Sequence, residues 1–305
     1  MCGIVGLYAK SPQIESKLGD LLATMLIEMS DRGPDSAGVA IYRNPCPEGE
    51  TKMLVHSGDP EYAWHHLHEQ LSKAFGKKVE LSVRASHALV LMPIDAEPAQ
   101  DWFHRHHPDL RIMSAGTVIE TYKEMGLPRD FVKRFGLREF TGTHALGHTR
   151  MATESEVTTE HSHPFSTGLD LCLVHNGSLS NHNRLREKLR HDGIRFETDN
   201  DSEVAAGYFT WRLRQGASLE QALESAIEDL DGFYTFAIGT RDGFAVMRDV
   251  IACKPGVMAE TDDWVAMASE YRALAGLPGV ENARVWEPAP ATVYTWNRSD
   301  VHARH

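Results

Sequence analysis

The second residue of the chain is a cysteine, a position from which it could act as a nucleophile that carries its own base. The sequence begins MCGIVGLY, and a small residue at position 2 is compatible with removal of Met1. Cys2 would then carry both a thiol and the free α-amine. Because an α-amine titrates near about pH 8 and a thiol near about 8.5, the amine can accept the thiol proton close to neutral pH. The alternative is that Cys2 is a small apolar residue beginning a buried strand.

A thiol that attacks a carboxamide needs donors for the developing oxyanion, a cation for a substrate carboxylate and an anion for an ammonium group. In VHNGSLSNH, Asn176 and Gly177 follow an apolar run and offer a side-chain amide and a backbone N–H. In GHTRMATE, Arg150 could hold a carboxylate through two parallel N–H bonds. In ETDNDSEVAA, Asp201 stands at the start of a helical pattern.

Each of these candidates also has a purely structural alternative. An HNG sequence after a strand is typical of a turn, because Asn and Gly tolerate positive φ. Arg150 could be the solvated end of a strand. Asp201 could be an N-cap that accepts from free N–H groups of a helix. Taken one at a time, the residues leave both interpretations open.

The elements that must position these residues alternate between strands and helices. Apolar residues at helical spacing predict a helix in SKLGDLLATMLIEMSDRG, and SAGVAIY predicts a strand. Helices are predicted near residues 182–192, 200–215 and 218–230, and antiparallel strands toward the end of the chain. The pattern favours an α+β layered domain. The sequence contains neither GxGxxG after a strand nor GxxxxGK[ST], so nucleotide binding is not predicted.

Residues of about 45–140 differ in character from the rest and are predicted to be an insertion or subdomain. They contain a histidine-rich helical stretch, YAWHHLHEQLSKAF, then an apolar strand around HALVLMPI, and then a predicted pair of helices. The clusters HHLH and HRHH lack companion carboxylates or thiols at the spacing of metal ligands. No metal site is therefore predicted.

The composition is typical of a globular protein and argues against two kinds of binding partner. The 305 residues are 42% hydrophobic, as in globular proteins, and the net charge of −12 argues against nucleic acid or an anionic membrane as the main partner. No signal segment or membrane span is predicted, so we expect a cytoplasmic protein. The four cysteines form no CxxC pair.

Six motifs in series resemble those of the class II glutamine amidotransferases, and the resemblance runs from end to end. They are MCGIVG at the start, DRGPDSAG at 31–38, GHTRMAT at 147–153, HPF at 163–165, HNG at 175–177 and NDSEV at 200–204. Any one of these motifs would be weak evidence. The ordered series is specific to that family.

The resemblance implies a fold and a reaction. The fold is the four-layer αββα sandwich of the N-terminal nucleophile hydrolases, spanning residues 2–305 with the inserted segment. The reaction is hydrolysis of L-glutamine to L-glutamate and ammonia. Matched by position, Cys2 is the nucleophile, Asn176 and Gly177 form the oxyanion hole, Arg150 binds the α-carboxylate, and Asp201 binds the α-ammonium.

Other positions are implied with less direct roles. Thr153 lies where the family lines its pocket, and Arg32 and Gly33 belong to a loop that shapes it. Asp199 is a weaker match than Asp201, because NDSEV aligns with the aspartate directly before the serine. Met151 and Glu154 depart from the family pattern, which commonly has an aromatic residue and a histidine there.

The segment 45–140 resembles that of amidotransferase subunits allied to glutamate synthase, including the N-methylglutamate synthase type. We therefore expect a subunit that donates ammonia to a separate synthase polypeptide, since the amidotransferase unit accounts for the whole chain. No cofactor is expected in this chain, although a partner could carry flavin. The alternatives are a free-standing amidohydrolase of glutamine or a γ-glutamyl compound, and an inactive scaffold, against which the intact motif residues argue.

Overall fold

The structure is a computed structural model that describes residues 2–151 and 157–299. The strands are β1 (Gly3–Ala9), β2 (Ser36–Tyr42), β3 (Thr51–His56), β4 (Glu80–Arg84), β5 (His87–Met92), β6 (Arg111–Gly116), β7 (Ile119–Met125), β8 (His144–Arg150), β9 (Cys172–Leu179), β10 (Gly232–Thr240), β11 (Gly243–Arg248), β12 (Val257–Glu260), β13 (Trp264–Ala268), β14 (Arg284–Trp286) and β15 (Val293–Asn297). The α-helices are α1 (Pro12–Glu15), α2 (Leu18–Glu28), α3 (Trp64–Phe75), α4 (Ala96–His106), α5 (Pro128–Phe135), α6 (His182–His191), α7 (Asp201–Arg214) and α8 (Leu219–Asp229).

Two antiparallel sheets pack face to face between two helical layers. The main sheet has the order β14-β12-β13-β1-β8-β2-β7, and the second sheet has the order β15-β11-β10-β9. Helices α2 and α5 cover the outer face of the main sheet, and α6, α7 and α8 cover the outer face of the second. The predicted four-layer αββα sandwich is confirmed, and its strands are antiparallel as predicted.

Strand β1 lies near the centre of the main sheet and is buried along its whole length. Ile4 and Tyr8 pack against the second sheet. The alternate residues Val5 and Leu7 pack in the core beneath α2. Because both faces are covered, every residue of the strand is apolar or glycine, which is why CGIVGLYA has no polar alternation. Cys2 therefore emerges from a rigid element.

A third antiparallel sheet, with the order β4-β5-β3-β6, lies within the predicted inserted segment. Helices α3 and α4 pack on it and form a separate apolar core that includes Val55, Leu71, Val90 and Phe103. This unit spans 51–116. It is shorter than the predicted segment of 45–140, because β7 pairs with β2 in the main sheet and α5 packs in the main core.

The prediction of a helical pair after HALVLMPI was incomplete, since strands β6 and β7 separate α4 from α5. The apolar alternation of β7 is obscured by Glu120 and Lys123, two charged residues that are nevertheless buried. Glu120 accepts a 2.9 Å hydrogen bond from Lys52 Nζ and a 3.0 Å bond from Tyr122. Pairing satisfies the buried charge, so a polar residue can occupy an inward position that periodicity would reserve for an apolar one.

None of the helices in the described part of the chain is long and apolar enough to cross a membrane.

Candidate active site

A pocket of about 320 Å³ opens where β1 begins and where β8 and β9 approach their ends. This volume falls within the roughly 300–1,000 Å³ of small-molecule sites. Arg32 lines it, and so do five of the six residues that the sequence assigned a catalytic or binding role: Cys2, Arg150, Asn176, Gly177 and Asp201. The sixth, Thr153, lies outside the described residues. The pocket therefore gathers residues that are distant in the sequence.

Cys2 is held at the pocket by contacts to its backbone. Its carbonyl oxygen accepts a 2.9 Å hydrogen bond from Arg32 Nε and a 3.2 Å bond from Asn176 Nδ2. Arg32 in turn pairs with Glu270 at 2.5 Å, and this bond lowers the pKa of the Glu270 carboxyl. The Cys2 thiol lies 3.9 Å from the carbonyl oxygen of Met151. Arg32 thus supports the nucleophile position, as the loop motif implied.

The side chain of Asn176 on β9 is buried, and both its amide nitrogen and its amide oxygen make polar contacts. Nδ2 lies 3.2 Å from the Cys2 carbonyl oxygen and 3.1 Å from Ser269 Oγ. Oδ1 lies 3.2 Å from Nε2 of His148. The amide is therefore fixed by groups from three other places in the chain.

Gly177 occupies a conformation that only glycine accepts readily. Its φ is 146°, and a Cβ there would collide with the carbonyl oxygen of Phe233 on the neighbouring strand. The residue lies inside β9, which continues to Leu179. The alternative that HNG forms a turn is therefore wrong.

Arg150 is the last residue of β8 and is buried beside the pocket. It donates a 3.2 Å hydrogen bond to the carbonyl oxygen of His161. Gly33 packs directly against the backbone of Thr149 and Arg150, where any Cβ would collide. Close packing of the DRGPDSAG loop on β8 thus covers the arginine, which excludes the alternative of a solvated strand end.

Asp201 is the first residue of α7, and Asn200 is the N-cap because its side chain accepts from the backbone N–H of Ser202. The N-cap alternative for Asp201 is therefore wrong. Its Oδ2 instead accepts a 2.8 Å bond from the backbone of Leu179 at the end of β9. The side chain of Asp199 is 94% exposed and hydrogen-bonds His161, away from the pocket lining. Of the two aspartates, only Asp201 lines the pocket.

Three buried histidines, His148, His163 and His175, lie directly behind these residues. Burial lowers the pKa of each imidazole, that of His148 to about 3, so all three are neutral near pH 7. The rings of His148 and His163 stack with centroids 4.1 Å apart. Ser202 Oγ lies 2.8 Å from Nε2 of His163 and 2.9 Å from Nδ1 of His175.

The residues to which sequence reasoning gave no role include these histidines and Ser269, and also the pocket-lining residues Asn200, Ser202, Lys254 and Pro255. Each histidine belongs to a motif that was quoted, namely GHTR, HPF and HNG, but only the neighbouring residues received a role. The available signal was the recurrence of a histidine beside a candidate residue in two of the motifs. Ser269 follows β13, in the segment WVAMASEYRAL, to which no site role was given.

Among residues 2–151 and 157–299, no group of three or more His, Cys, Asp or Glu side chains is arranged to hold a metal ion. In the HHLH cluster, His65 and His66 are exposed on α3. In the HRHH cluster, His107 bonds Gln70 and Tyr62 rather than converging with other ligand types.

The chain is similar to known proteins over part or nearly all of its length. Residues 148–276 match the family model described as a glutamine amidotransferase domain. The chain is 55% identical to the glutamine amidotransferase-like protein GlxB of Rhizobium meliloti (strain 1021), over 97% of this chain and 98% of that protein. It is 36% identical to a glutamine--fructose-6-phosphate aminotransferase of Vibrio vulnificus (strain YJ016), over 40% of this chain and 20% of that protein.

The fold has a solved counterpart in the glutamine phosphoribosylpyrophosphate amidotransferase from B. subtilis. The TM-score is 0.60 at 20% sequence identity, and the match covers 98% of this chain and 48% of the solved one. The chain thus spans about half the length of that structure. The 55% identity to GlxB over nearly the full length of both proteins shows the family, while the structural match shows the fold alone. The chain belongs to the glutamine amidotransferase family and has the fold of its N-terminal nucleophile members.

Proposed function

We propose that this protein hydrolyses L-glutamine to L-glutamate and ammonia through a thioester on Cys2. The observation that carries the proposal is the convergence of Cys2, Asn176, Arg150 and Asp201 on one pocket from four different elements. A thiol, an amide donor, a cation and an anion are the groups that attack on an amino-acid carboxamide requires.

The proposed chemistry begins when the α-amine of Cys2 takes the thiol proton, after Met1 has been removed. The thiolate attacks the side-chain carbonyl carbon of glutamine, and the C=O electron pair moves to oxygen. The Asn176 amide and the Gly177 N–H are proposed to stabilise this oxyanion. The protonated amine then gives its proton to the leaving nitrogen, the C–N bond breaks, and ammonia leaves a γ-glutamyl thioester. Water attacks the thioester by the reverse sequence and releases glutamate.

Of the charged residues that line the pocket, Arg32, Arg150, Asp201 and Lys254, two offer charges that suit a zwitterionic substrate. Arg150 is proposed to bind the α-carboxylate of glutamine, because a guanidinium holds a carboxylate with two parallel bonds. Asp201 is proposed to bind the α-ammonium. Both side chains are held by protein contacts, Arg150 to His161 and Asp201 to Leu179, so little ordering is needed on binding. Thr153 is proposed to line the same pocket.

The glutaminase proposal is tested on the purified chain. Glutamate formation from L-glutamine is measured for the wild type and for Cys2→Ala, with Cys46→Ala as the matched cysteine control. We expect loss of activity only in Cys2→Ala. Acid quenching during turnover, followed by peptide mass spectrometry, should find the glutamyl adduct on Cys2. Wild-type turnover by Cys2→Ala would contradict the proposal.

We further propose that the ammonia is delivered to a separate synthase subunit of the glutamate synthase-like, N-methylglutamate synthase type. In support, the chain matches GlxB over 98% of that protein's length, so an amidotransferase-like protein of this extent occurs in the family. The unit at 51–116 has its own sheet and core outside the four layers, and we propose it as an insertion that serves as the docking surface. The proposed location is the cytoplasm, where reducing conditions keep thiols free.

The partner proposal predicts that glutamine turnover depends on a second protein. Turnover is measured for the chain alone and then with candidate synthase subunits and their acceptor substrates. A coupling free energy of roughly 1–3 kcal/mol would raise turnover about 5- to 150-fold, if it acts on closure of the glutamine pocket. Rapid turnover that no partner changes, extending to other γ-glutamyl amides, would instead favour the free-standing amidohydrolase.

A further inference from the structure

The orientation of the Asn176 amide follows from the chemistry of its neighbours. The Cys2 carbonyl oxygen can only accept a hydrogen bond, so the amide must present Nδ2 to it, at 3.2 Å. The amide oxygen then faces Nε2 of His148, also at 3.2 Å. Because an amide oxygen only accepts, Nε2 of the neutral His148 must carry the hydrogen.

His148 is well placed to hold this arrangement. It lies on β8, is 1% exposed, and stacks on His163. A ring so enclosed keeps one position. If the Asn176 amide turned over, its NH₂ group would face the N–H of His148 and its oxygen would face the Cys2 carbonyl oxygen, which are two unfavourable contacts.

Ser269 controls the other hydrogen of the same amide. Its Oγ accepts from Asn176 Nδ2 at 3.1 Å and from the backbone N–H of Ile4 at 2.9 Å. Its own N–H donates to the Ile4 carbonyl oxygen at 3.0 Å, which ties Ser269 to β1. One amide hydrogen is thus donated to Ser269 Oγ, and the other to the carbonyl oxygen of Cys2.

We infer that His148 and Ser269 are positioning residues that keep the NH₂ group of Asn176, rather than its oxygen, turned toward Cys2, so that the N–H donated to the Cys2 carbonyl oxygen can be shared with the carbonyl oxygen of the substrate. The inference rests on the proposed oxyanion role of Asn176. A donor fixed in advance costs no reorganisation when charge develops, which is the condition for strong oxyanion stabilisation. Without the two partners, the amide would spend time with its oxygen toward the developing negative charge.

The first test compares kcat and KM for glutamine in His148→Leu, His148→Gln and Ser269→Ala. We expect kcat to fall about 10-fold or more in His148→Leu, with the 10² to 10³ of a lost oxyanion donor as the upper limit, and KM to stay near its wild-type value. His148→Gln keeps an N–H donor and should recover most of the loss. Ser269→Ala should lower kcat roughly 5- to 10-fold, the size of one neutral hydrogen bond.

His144→Leu is the matched control. His144 lies on the same strand, is fully buried, and has a pKa likewise lowered to about 3 by burial. Its Nε2 contacts the Thr240 carbonyl oxygen at 2.9 Å, at the opposite end of β8 from the pocket. We expect His144→Leu to lower the melting temperature while kcat stays near wild type. Equal loss of kcat in His144→Leu and His148→Leu would overturn the inference.

A double-mutant cycle tests whether the two residues act through Asn176. In an Asn176→Ala background, His148→Leu and Ser269→Ala should lower kcat no further, because the group that they position is gone. A full additional loss of kcat in that background would contradict the positioning role.

A readout without catalysis separates this inference from the proposed function. With ¹⁵N-labelled asparagine, the side-chain NH₂ signals of Asn176, identified by their absence in Asn176→Ala, should exchange slowly with water. They should exchange faster in His148→Leu and Ser269→Ala but not in His144→Leu. Signals unchanged in all variants would overturn the positioning role. Protected signals in a chain that does not hydrolyse glutamine would overturn only the proposed function.

Discussion

Oδ2 of Asp201 accepts a 2.8 Å hydrogen bond from the backbone N–H of Leu179, which fixes the first residue of α7 to the end of β9. β9 also carries Asn176 and Gly177. The proposed ammonium-binding carboxylate and the proposed oxyanion donors are therefore held in one rigid frame. A small displacement of the Asp201 carboxylate would therefore also displace Asn176 and Gly177.

Asp201→Asn should raise KM for glutamine by about 10-fold or more and change kcat less. The amide oxygen can still accept from Leu179, so the fold is kept, but the charge that would bind the α-ammonium is lost. Asp199→Asn is the control, because that carboxylate is 94% exposed and outside the pocket lining. If both variants raised KM equally, the assignment to Asp201 would be wrong.

Arg150→Lys should also raise KM with little change in kcat. A lysine keeps the charge but replaces a two-pronged carboxylate clamp by a single point charge. Arg134→Lys, at a side chain that is 56% exposed on α5, is the control. Steady-state kinetics with glutamine tests this prediction. An unchanged KM in Arg150→Lys would show that Arg150 does not bind the α-carboxylate.

Asn176→Ala should act on kcat instead of KM. Loss of one oxyanion donor costs roughly 10² to 10³ in kcat, and the ground-state substrate is bound mainly by other groups. Asn176→Asp keeps an acceptor for His148 but has no N–H, so it should be at least as impaired. A wild-type kcat in Asn176→Ala would exclude it from the oxyanion hole.

The active protein should begin at Cys2. A retained Met1 would convert the α-amine into an amide, which cannot accept the thiol proton near neutral pH. Intact mass spectrometry of active and inactive preparations should therefore correlate glutaminase activity with loss of Met1. Full activity of a preparation that carries Met1 throughout would contradict the self-base mechanism.

The stability of the fold should fall as the pH drops below about 6.5. Burial lowers the pKa of His144 and His148 from 6.5 to about 3, so between these values the unfolded chain binds protons that the folded chain does not. Above pH 6.5 these histidines cost the fold no stability. Between pH 6.5 and pH 3, each histidine lowers the free energy of unfolding by about 1.4 kcal/mol per pH unit. His87 and His163, also buried with lowered pKa values, add to the slope.

Urea unfolding at pH 7.5, 6.5 and 5.5 measures this effect before most carboxylates titrate. His144→Gln should flatten the dependence, because one proton-binding group is removed from the unfolded state. The same slope in His144→Gln and in the wild type would show that this imidazole does not take up a proton on unfolding.

Sequence alone determined which residues are candidates for the proposed chemistry. The candidates stand in ordered motifs, and each motif lies in or next to a regular element: Cys2, Arg150, Asn176, Gly177 and Asp201. The pattern of helices and strands predicted an α+β layered domain, because amphipathic helices and apolar strands require covering layers. The αββα arrangement was implied by the resemblance of the motif series to a known family. Both predictions use information that is local in the sequence or that lies in the order of the motifs along the chain.

The tertiary structure decided what local patterns cannot express. The motif alignment favoured Asp201 over Asp199, and packing of α7 against β9 brings the Asp201 carboxylate, and not that of Asp199, to the pocket. β7 was missed because buried Glu120 is neutralised by Lys52, a partner on another sheet. Ser269 reaches Asn176 across 93 residues of sequence. Which side chains become hydrogen-bond partners depends on how folding brings distant segments of the chain together. The spacing of residues along the sequence does not contain that information.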